Sequence, residues 1–530
     1  MFKKVIRVGL TLWYTKPVQI FYQIWYRIKN RFISINSYRN YDAATIQPVS
    51  FNFNDQLVLS QGKFSGHAKF FFIGLSHQFM DSRINWNFGA NGKLWNYNLQ
   101  YLDYILDESI DVIERKKILV DLSKELLAGK VKPEPYPVSL RIINTIAFVS
   151  RYGIQDRAVE LALKRQIHYL ENNLEFHILA NHLIENIFSL FIASFALNNK
   201  KLYNKSKSLL EKQLAEQIMG DGAHYECSPM YHSILLAKIL MLIDVVHNNI
   251  LWQEDCKGME SVAAKMLGWL KDFSFYNNNW ALVNDAANGI APPLPVLEHV
   301  ATSLNIHPQS TGLDQSGYRK WNMEIFELLV DAGSISPSYQ PGHVHADMLS
   351  FWLNERGCPI FVDVGTSTYQ VNERRQYERS TVAHNTVSIN MDNQYDVWSG
   401  FRVARRAAIV IEKECENYLC AFHDGYLSRY GVIHQRSFLI SPNNIIIEDK
   451  LKGKPVSAVA HFHLDHSISA SHNAGENIVL LSNGIRMEFT NAQSIHVLSY
   501  KQATEFNSLI ESQKIEVVFD QHMISKITIF

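Results

Sequence analysis

The chain has 530 residues, 47% hydrophobic and 19% charged. This excludes a disordered protein, and it exceeds the roughly 250 to 300 residues at which a single core stops growing, so two or more domains are expected. A formal net charge of zero argues against a bulk nucleic-acid binder, and five cysteines without CxxC spacing give neither a zinc ribbon nor a complete disulfide framework.

The zero conceals an uneven distribution. Residues 1 to 41 carry Lys3, Lys4, Arg7, Lys16, Arg27, Lys29, Arg31 and Arg39, with no acid before Asp42. Arg7 interrupts the first apolar run and no small-residue cleavage site follows, so no signal peptide is expected. A cytoplasmic location follows, with the inner face of the membrane as one place of action. Pro17 to Phe32 reads as a helix with Val18, Phe21, Trp25, Ile28 and Phe32 on one side and Gln19, Arg27, Asn30 and Arg31 elsewhere. Two readings stand for this basic segment, residues 1–40: peripheral association with an anionic membrane face, or packing on the body of the protein.

From about residue 95 to 275 apolar residues recur at helical spacing. The predicted helices run Tyr101 to Leu127, Val138 to Tyr152, Arg157 to Leu174, His177 to Leu197, Lys201 to Met219, Pro229 to Asn248 and Met259 to Asp272. Short connections make antiparallel pairs, and without a fixed repeat the series is expected to close as an (α/α) toroid over residues 41–320. Within it, Asn181 and Glu185 lie four apart on one helix face. Ser228 and Pro229 suit an N-cap and first helical residue, which puts Tyr231 in the first turn, where the helix dipole favours phenolate.

After about residue 320 β-branched and aromatic runs alternate with turn residues. Ser437 to Glu448 reads as a hairpin around Pro442-Asn443-Asn444, and Ala407 to Glu412, Ala458 to Leu464, Asn477 to Leu481 and His496 to Tyr500 read as further strands. An antiparallel β-sandwich over residues 321–530 is expected, making the whole an α+β multidomain chain whose site lies between its halves.

Gly342-His343-Val344-His345-Ala346-Asp347 sets two imidazoles and a carboxylate within a few residues. His345 with Asp363 and His384 suits one divalent metal, zinc first and calcium as the alternative. If the segment is a strand, His343 points to the same face as His345 and is left to meet a substrate. Arg374, Arg375, Arg379, Arg402, Arg405 and Arg406 supply donors for carboxylate or sulfate oxygens, so Arg379 and Arg402 are expected to bind substrate. Trp95, Tyr97, Tyr136, Tyr369 and Trp398 are candidates for stacking on sugar rings.

Together, Lys93 to Leu99, Tyr136 to Arg141, Asn181 to Asn186, Asp221 to His232, His343 to Phe351, Asp363 to Thr366 and Arg379 to Thr386 resemble, in order, the motifs of the heparinase II/III family of polysaccharide lyases. The resemblance implies β-elimination at a uronic acid of an acidic polysaccharide. In that reaction Asn181 neutralises the carboxylate, Tyr231 and His343 move protons, and His182 and Glu226 form part of a substrate subsite. It also implies that His345, Asp363 and His384 are metal ligands. A uronyl C5-epimerase on the same scaffold is the first alternative and a non-catalytic glycan-binding or assembly protein the second. Because family members acting outside the cell carry an export signal, the expected setting is cell-surface polysaccharide metabolism.

Overall fold

The computed structural model describes residues 2–32, 45–52, 57, 63–66, 68–252, 256–473 and 475–530. Two N-terminal helices, α1 (Phe2–Tyr14) and α2 (Pro17–Phe32), precede a small antiparallel sheet of β1 (Lys63–Phe64), β2 (Lys69–Phe72) and β3 (Leu75–Gln78). The helical series then runs α3 (Lys93–Tyr101), α4 (Val112–Leu127), α5 (Pro135–Tyr152), α6 (Arg157–Asn172), α7 (Ala180–Ala196), α8 (Lys200–Gln217), α9 (Pro229–Asn248), α10 (Lys257–Phe273) and α11 (Leu294–Ser303). α7 and α9 are buried nearly all round, while α6 and α8 bury one apolar stripe and leave a charged face in water. The helical core joins Ile142, Ile146, Ile184, Phe188, Leu240 and Trp269.

Local chemistry accounts for the boundaries. The stretch Tyr101 to Leu127 is not one helix: Leu102 adopts a left-handed conformation, a 3-10 turn spans Asp103–Leu106, and the Asp111 carboxylate caps α4 by accepting from the Ile113 and Glu114 amides. α5 begins three residues earlier than periodicity suggests, because Pro135 needs no amide partner in a first turn. Leu179, at φ 68°, delays the start of α7 beyond His177.

The sheet-rich part starts at β4 (Tyr318–Asn322), which pairs in the order β4-β5-β6-β7 with β5 (Phe326–Asp331), β6 (Phe351–Glu355) and β7 (Cys358–Phe361). Facing it is a large antiparallel sheet of β11 (Ile409–Cys415), β12 (Tyr418–His423), β13 (Val432–Ser441), β14 (Asn444–Gly453), β19 (Ser508–Thr528), β18 (Arg486–Glu505), β17 (Ile478–Leu481) and β16 (Ala470–His472), in that spatial order. β15 (Ser457–His463) pairs with both β19 and β8 (Val387–Ile389). The predicted hairpin is β13–β14, closed at Ser441 opposite Asn444. His496 to Tyr500 is only the middle of β18. The sheets share an apolar interior that includes Leu328, Phe351, Phe361, Phe438 and Phe462. A separate two-stranded hairpin pairs β9 (Val397–Trp398) with β10 (Arg402–Val403).

One buried charge cluster ties this interior to the motif segments. Arg436 donates to Asp449 through Nε (2.8 Å) and Nη2 (3.1 Å), His434 Nε2 lies 2.7 Å from the same carboxylate, and Arg436 Nη1 also donates to the carbonyls of Leu349 and Asn385. Burial would raise the Asp449 pKa, but Arg436 and His434 outweigh it and hold it at about 2. A depressed carboxyl contributes stability that is present above its unfolded value and lost as pH falls toward the folded one. Between about pH 5 and pH 2 the unfolding free energy of the wild type should therefore drop by about 2 kcal/mol more than that of Asp449→Asn. Urea titrations at the two pH values check this, and equal slopes would remove the pair's role.

Candidate active site

Ser228 sets up the first part of the site. Its hydroxyl caps α9 by accepting from the Tyr231 amide (3.4 Å) and donates to the Asp285 carbonyl (2.9 Å), so the start of the helix and the loop at 284–285 are positioned together. Asn284, at φ 53°, donates to the Cys227 carbonyl and accepts from the His345 amide, and the Asp285 amide donates to the His343 carbonyl. The His343–His345 segment is therefore an extended loop hung on residues 284–285 and not the expected strand.

Asp285 is fully buried and takes both histidines. His343 Nδ1 lies 2.9 Å from its Oδ2, and His345 Nε2 lies 2.9 Å from its Oδ1. Arg375, also fully buried, completes a two-pronged pair, with Nη2 at 2.6 Å from Oδ2 and Nη1 on Oδ1. Burial would raise the Asp285 pKa, but Arg375 and the two imidazoles hold it well below the usual carboxylate range. An ionised Asp285 makes His343 Nδ1 the donor, which leaves the Nε2 lone pair to accept from the Asn181 amide at 3.2 Å. The Asn181 amide also donates to Glu226 Oε2 at 2.9 Å. Burial pushes the Glu226 carboxyl upward.

Tyr231 lies against His343, with ring centroids 4.1 Å apart, and its hydroxyl is 3.1 Å from that of Tyr369. Burial, reinforced by Tyr369, raises the Tyr231 pKa well above that of a free phenol. The pull of the helix terminus toward phenolate is worth only about 0.3 to 1 kcal/mol, less than the desolvation of a buried anion. His182 stands further along the same cavity, 3.0 Å from Glu175. Burial alone would lower its pKa, but Glu175 offsets this and holds it above the usual value.

Asn181, His182, Glu226, Tyr231 and His343 thus line one cavity of about 580 Å³ between the helical and sheet-rich parts, within the range of ligand pockets. Tyr97, Tyr136 and Tyr369 line it too, whereas Trp95 is buried in the core against Phe72 and Phe88, and Trp398 lies under Arg402 on the β9–β10 hairpin. Two expected substrate-binding residues are not brought in. Arg379 is fully buried and donates to the Val344 and Gly400 carbonyls. Arg402 is exposed on the hairpin. Among the described residues no arginine lines the cavity.

Behind His343, Asp347, Asp363 and His384 are all buried, with donor atoms within 4.8 Å of one another. Asp363 Oδ1 lies 3.0 Å from His384 Nδ1, an ion pair whenever the imidazole is protonated, and Asp347 Oδ2, Asp363 Oδ2 and His345 Nδ1 make no hydrogen bond within the protein. Burial raises the Asp347 and Asp363 pKa values. Of the expected metal ligands, Asp363 and His384 belong to this tight set with Asp347, while His345 stands beside it, its ring 5.3 Å from that of His384 and its Nε2 committed to Asp285. Gly365, at φ +80°, closes the adjacent turn. A Cβ there would sit 1.8 Å from the Ala503 carbonyl oxygen, so a side chain would push β18 away.

Sequence reasoning missed Asp285. It lies in a loop with no periodic pattern, and nothing local sets it apart among the 51 acidic residues.

Comparison with known proteins agrees with this architecture. No curated protein sequence matches the chain. Among solved structures, a heparinase III is similar at 16% identity with a TM-score of 0.69, over 97% of this chain and 92% of that one. A mutant heparan sulfate lyase from Pedobacter heparinus is similar at 16% identity and 0.59, over 95% and 87%. A chondroitinase AC lyase is similar at 11% and 0.50, over 99% and 82%. At such identities the likeness is one of fold. Residues 158–313 match the heparinase II/III N-terminus and residues 305–523 the heparinase II/III-like C-terminal domain, and with both domains matched in order over most of its length, the chain belongs to the heparinase II/III family.

Proposed function

We propose that the protein is a polysaccharide lyase that cleaves a uronate-containing glycan by β-elimination. The observation that carries this reading is the convergence of Asn181, Tyr231 and His343, drawn from two helices and a loop of the other domain, on one cavity. His343 Nε2 accepts the C5 proton, the freed electron pair forms the C4–C5 double bond, and the bond from C4 to the glycosidic oxygen breaks. Tyr231, kept neutral by burial, gives its proton to the leaving oxygen. Asn181 donates to the uronate carboxylate as charge develops there, a kind of contact worth about 10² to 10³ in rate. Proton exchange between the imidazolium and the phenolate, directly or through water, restores the pair for the next turnover.

The charge of the cavity favours a substrate with few or no sulfates. Lys93 is paired with Glu134 and Lys238 with Glu185, and among the described residues no arginine lines the cavity, whereas dense sulfation calls for guanidinium forks. Purified protein should generate the ultraviolet absorbance of an unsaturated uronate from a non-sulfated uronate polysaccharide faster than from heparan sulfate. Absence of that chromophore on every uronate glycan offered would discard the lyase reading, and proton exchange at C5 without it would assign an epimerase.

The clustered buried donors of Asp347, Asp363 and His384, with His345 beside them, fit a divalent ion, zinc before calcium. When bound, it supplies positive charge that compensates two buried carboxylates and fastens the 342–347 segment to the sandwich. A chelator should lower the melting temperature of the wild type by several degrees and leave that of Asp363→Asn unchanged. Identical melting of the wild type with and without chelator would remove the metal.

A further inference from the structure

The N-terminal helix pair is packed inside out. Helices on a protein surface ordinarily bury an apolar stripe and expose a polar one. Here the polar side faces the protein. On α1, Arg7 pairs with Asp396 at 2.7 Å and Thr11 accepts from Trp398. On α2, Gln19 donates to the Ile178 carbonyl, Tyr26 to that of Leu174, and Lys29 to that of Asn172 at 2.6 Å. The apolar side faces away from the protein: Val5 is 63% exposed, Trp13 84%, Phe21 61%, Ile24 55%, Trp25 47% and Ile28 52%. Leaving so much contiguous apolar surface in water is costly, and such patches mark interaction sites.

We propose that this helix pair is an in-plane anchor that docks the protein on an anionic lipid bilayer. Charge complementarity selects that occupant. Of the eight cations that residues 1 to 41 hold without an acid, Arg7, Lys16 and Lys29 turn to the protein while Lys4 and Arg27 are exposed among the apolar residues, and each cation near an anionic surface adds about 1 kcal/mol. Trp13 and Trp25 are the side chains that favour the headgroup level. Over their described residues the two helices are too short to span. The 13 residues of α1 and 16 of α2 reach about 20 and 24 Å at the helical rise, short of the roughly 30 Å hydrocarbon core, and the chain breaks between them at Thr15–Lys16. Among the described residues the helix long and apolar enough to cross a membrane is Pro229–Asn248, and it is buried in the helical domain.

The anchor also has a fixed relation to the cavity. α1 rests on the β9–β10 hairpin, whose turn holds Phe401, and α2 rests on the segment before α7, which holds Ile178; both residues line the cavity. The pair therefore straps the two domains together beside one rim, and docking sets that rim at the lipid surface. This inference is independent of the chemistry proposed for the cavity.

The test is co-sedimentation of the full chain with vesicles of phosphatidylglycerol and phosphatidylcholine, and with phosphatidylcholine alone. The expected result is binding to the anionic vesicles at least tenfold stronger than to the neutral ones, with a blue shift in tryptophan emission that Trp13→Phe/Trp25→Phe removes. Phe21→Ser/Ile24→Ser should weaken binding at least tenfold while melting and turnover of a soluble glycan stay unchanged. No binding to anionic vesicles, or equal binding to both kinds, would overturn the proposal. So would a dimer that Phe21→Ser/Ile24→Ser dissolves and vesicles do not, because the face would then belong to a second copy of the chain.

Discussion

Tyr231→Phe should lower turnover by about 10² to 10⁴ with little change in stability. The substitution keeps the ring that packs against His343 at 4.1 Å and removes one hydroxyl, whose partner in the protein is the Tyr369 hydroxyl. The helix start is unaffected, because its cap is the Ser228 side chain on the Tyr231 backbone amide. A proton donor to the leaving oxygen acts only as that bond breaks, so the loss should fall on kcat and leave KM nearly unchanged. A glycan with a good leaving group at C4 should regain much of the rate, since it needs no donor. Activity within a few fold of wild type on ordinary substrate would remove Tyr231 from the chemistry.

Asp285→Ala should have two large effects at once. The carboxylate, itself fully buried, is the shared partner of His343, His345 and Arg375. Its removal leaves a buried guanidinium without its counter-charge, which costs about 3 to 5 kcal/mol of stability. It also frees the His343 ring to adopt the tautomer that carries its proton on Nε2, where it cannot accept one from C5. Asp285→Asn separates the effects. It keeps the shape, so more stability survives, but its neutral amide no longer favours the proton on His343 Nδ1. Turnover should fall by about 10² or more in both variants, and Asp285→Asn should be the more stable in a denaturant titration. Normal turnover in Asp285→Asn would show that Asp285 serves the fold alone.

The candidate site was legible wherever side chains of one kind of chemistry lie close in sequence. Asn181 and His182 stand out as polar interruptions of an apolar helix, Tyr231 follows a Ser-Pro helix start, His343 shares a short motif with His345, and His345, Asp363 and His384 interrupt apolar sequence. Arginine clustering misled because it says nothing about direction. Arg375 and Arg379 turn inward to a carboxylate and to carbonyls, and Arg402 is exposed on a hairpin and does not line the cavity. Asp347 was visible in its motif, yet its closeness to Asp363 and His384 depends on how three segments fold together. The N-terminal segment was legible as basic and amphipathic, but periodicity alone does not tell which face turns inward.

Taken alone, the amino-acid sequence determined the change from helical to strand periodicity near residue 320, the capped start of α9, the order of the motifs and the acid-free N-terminus. These are properties of neighbours along the chain, set by backbone sterics, capping and the spacing of apolar side chains. The tertiary structure alone decided that Asp285 holds both histidines, that burial keeps Tyr231 a neutral phenol, and that the apolar side of α1 and α2 faces outward. Each of these depends on groups far apart in the chain, and on desolvation, which a side chain experiences only when the rest of the fold closes over it.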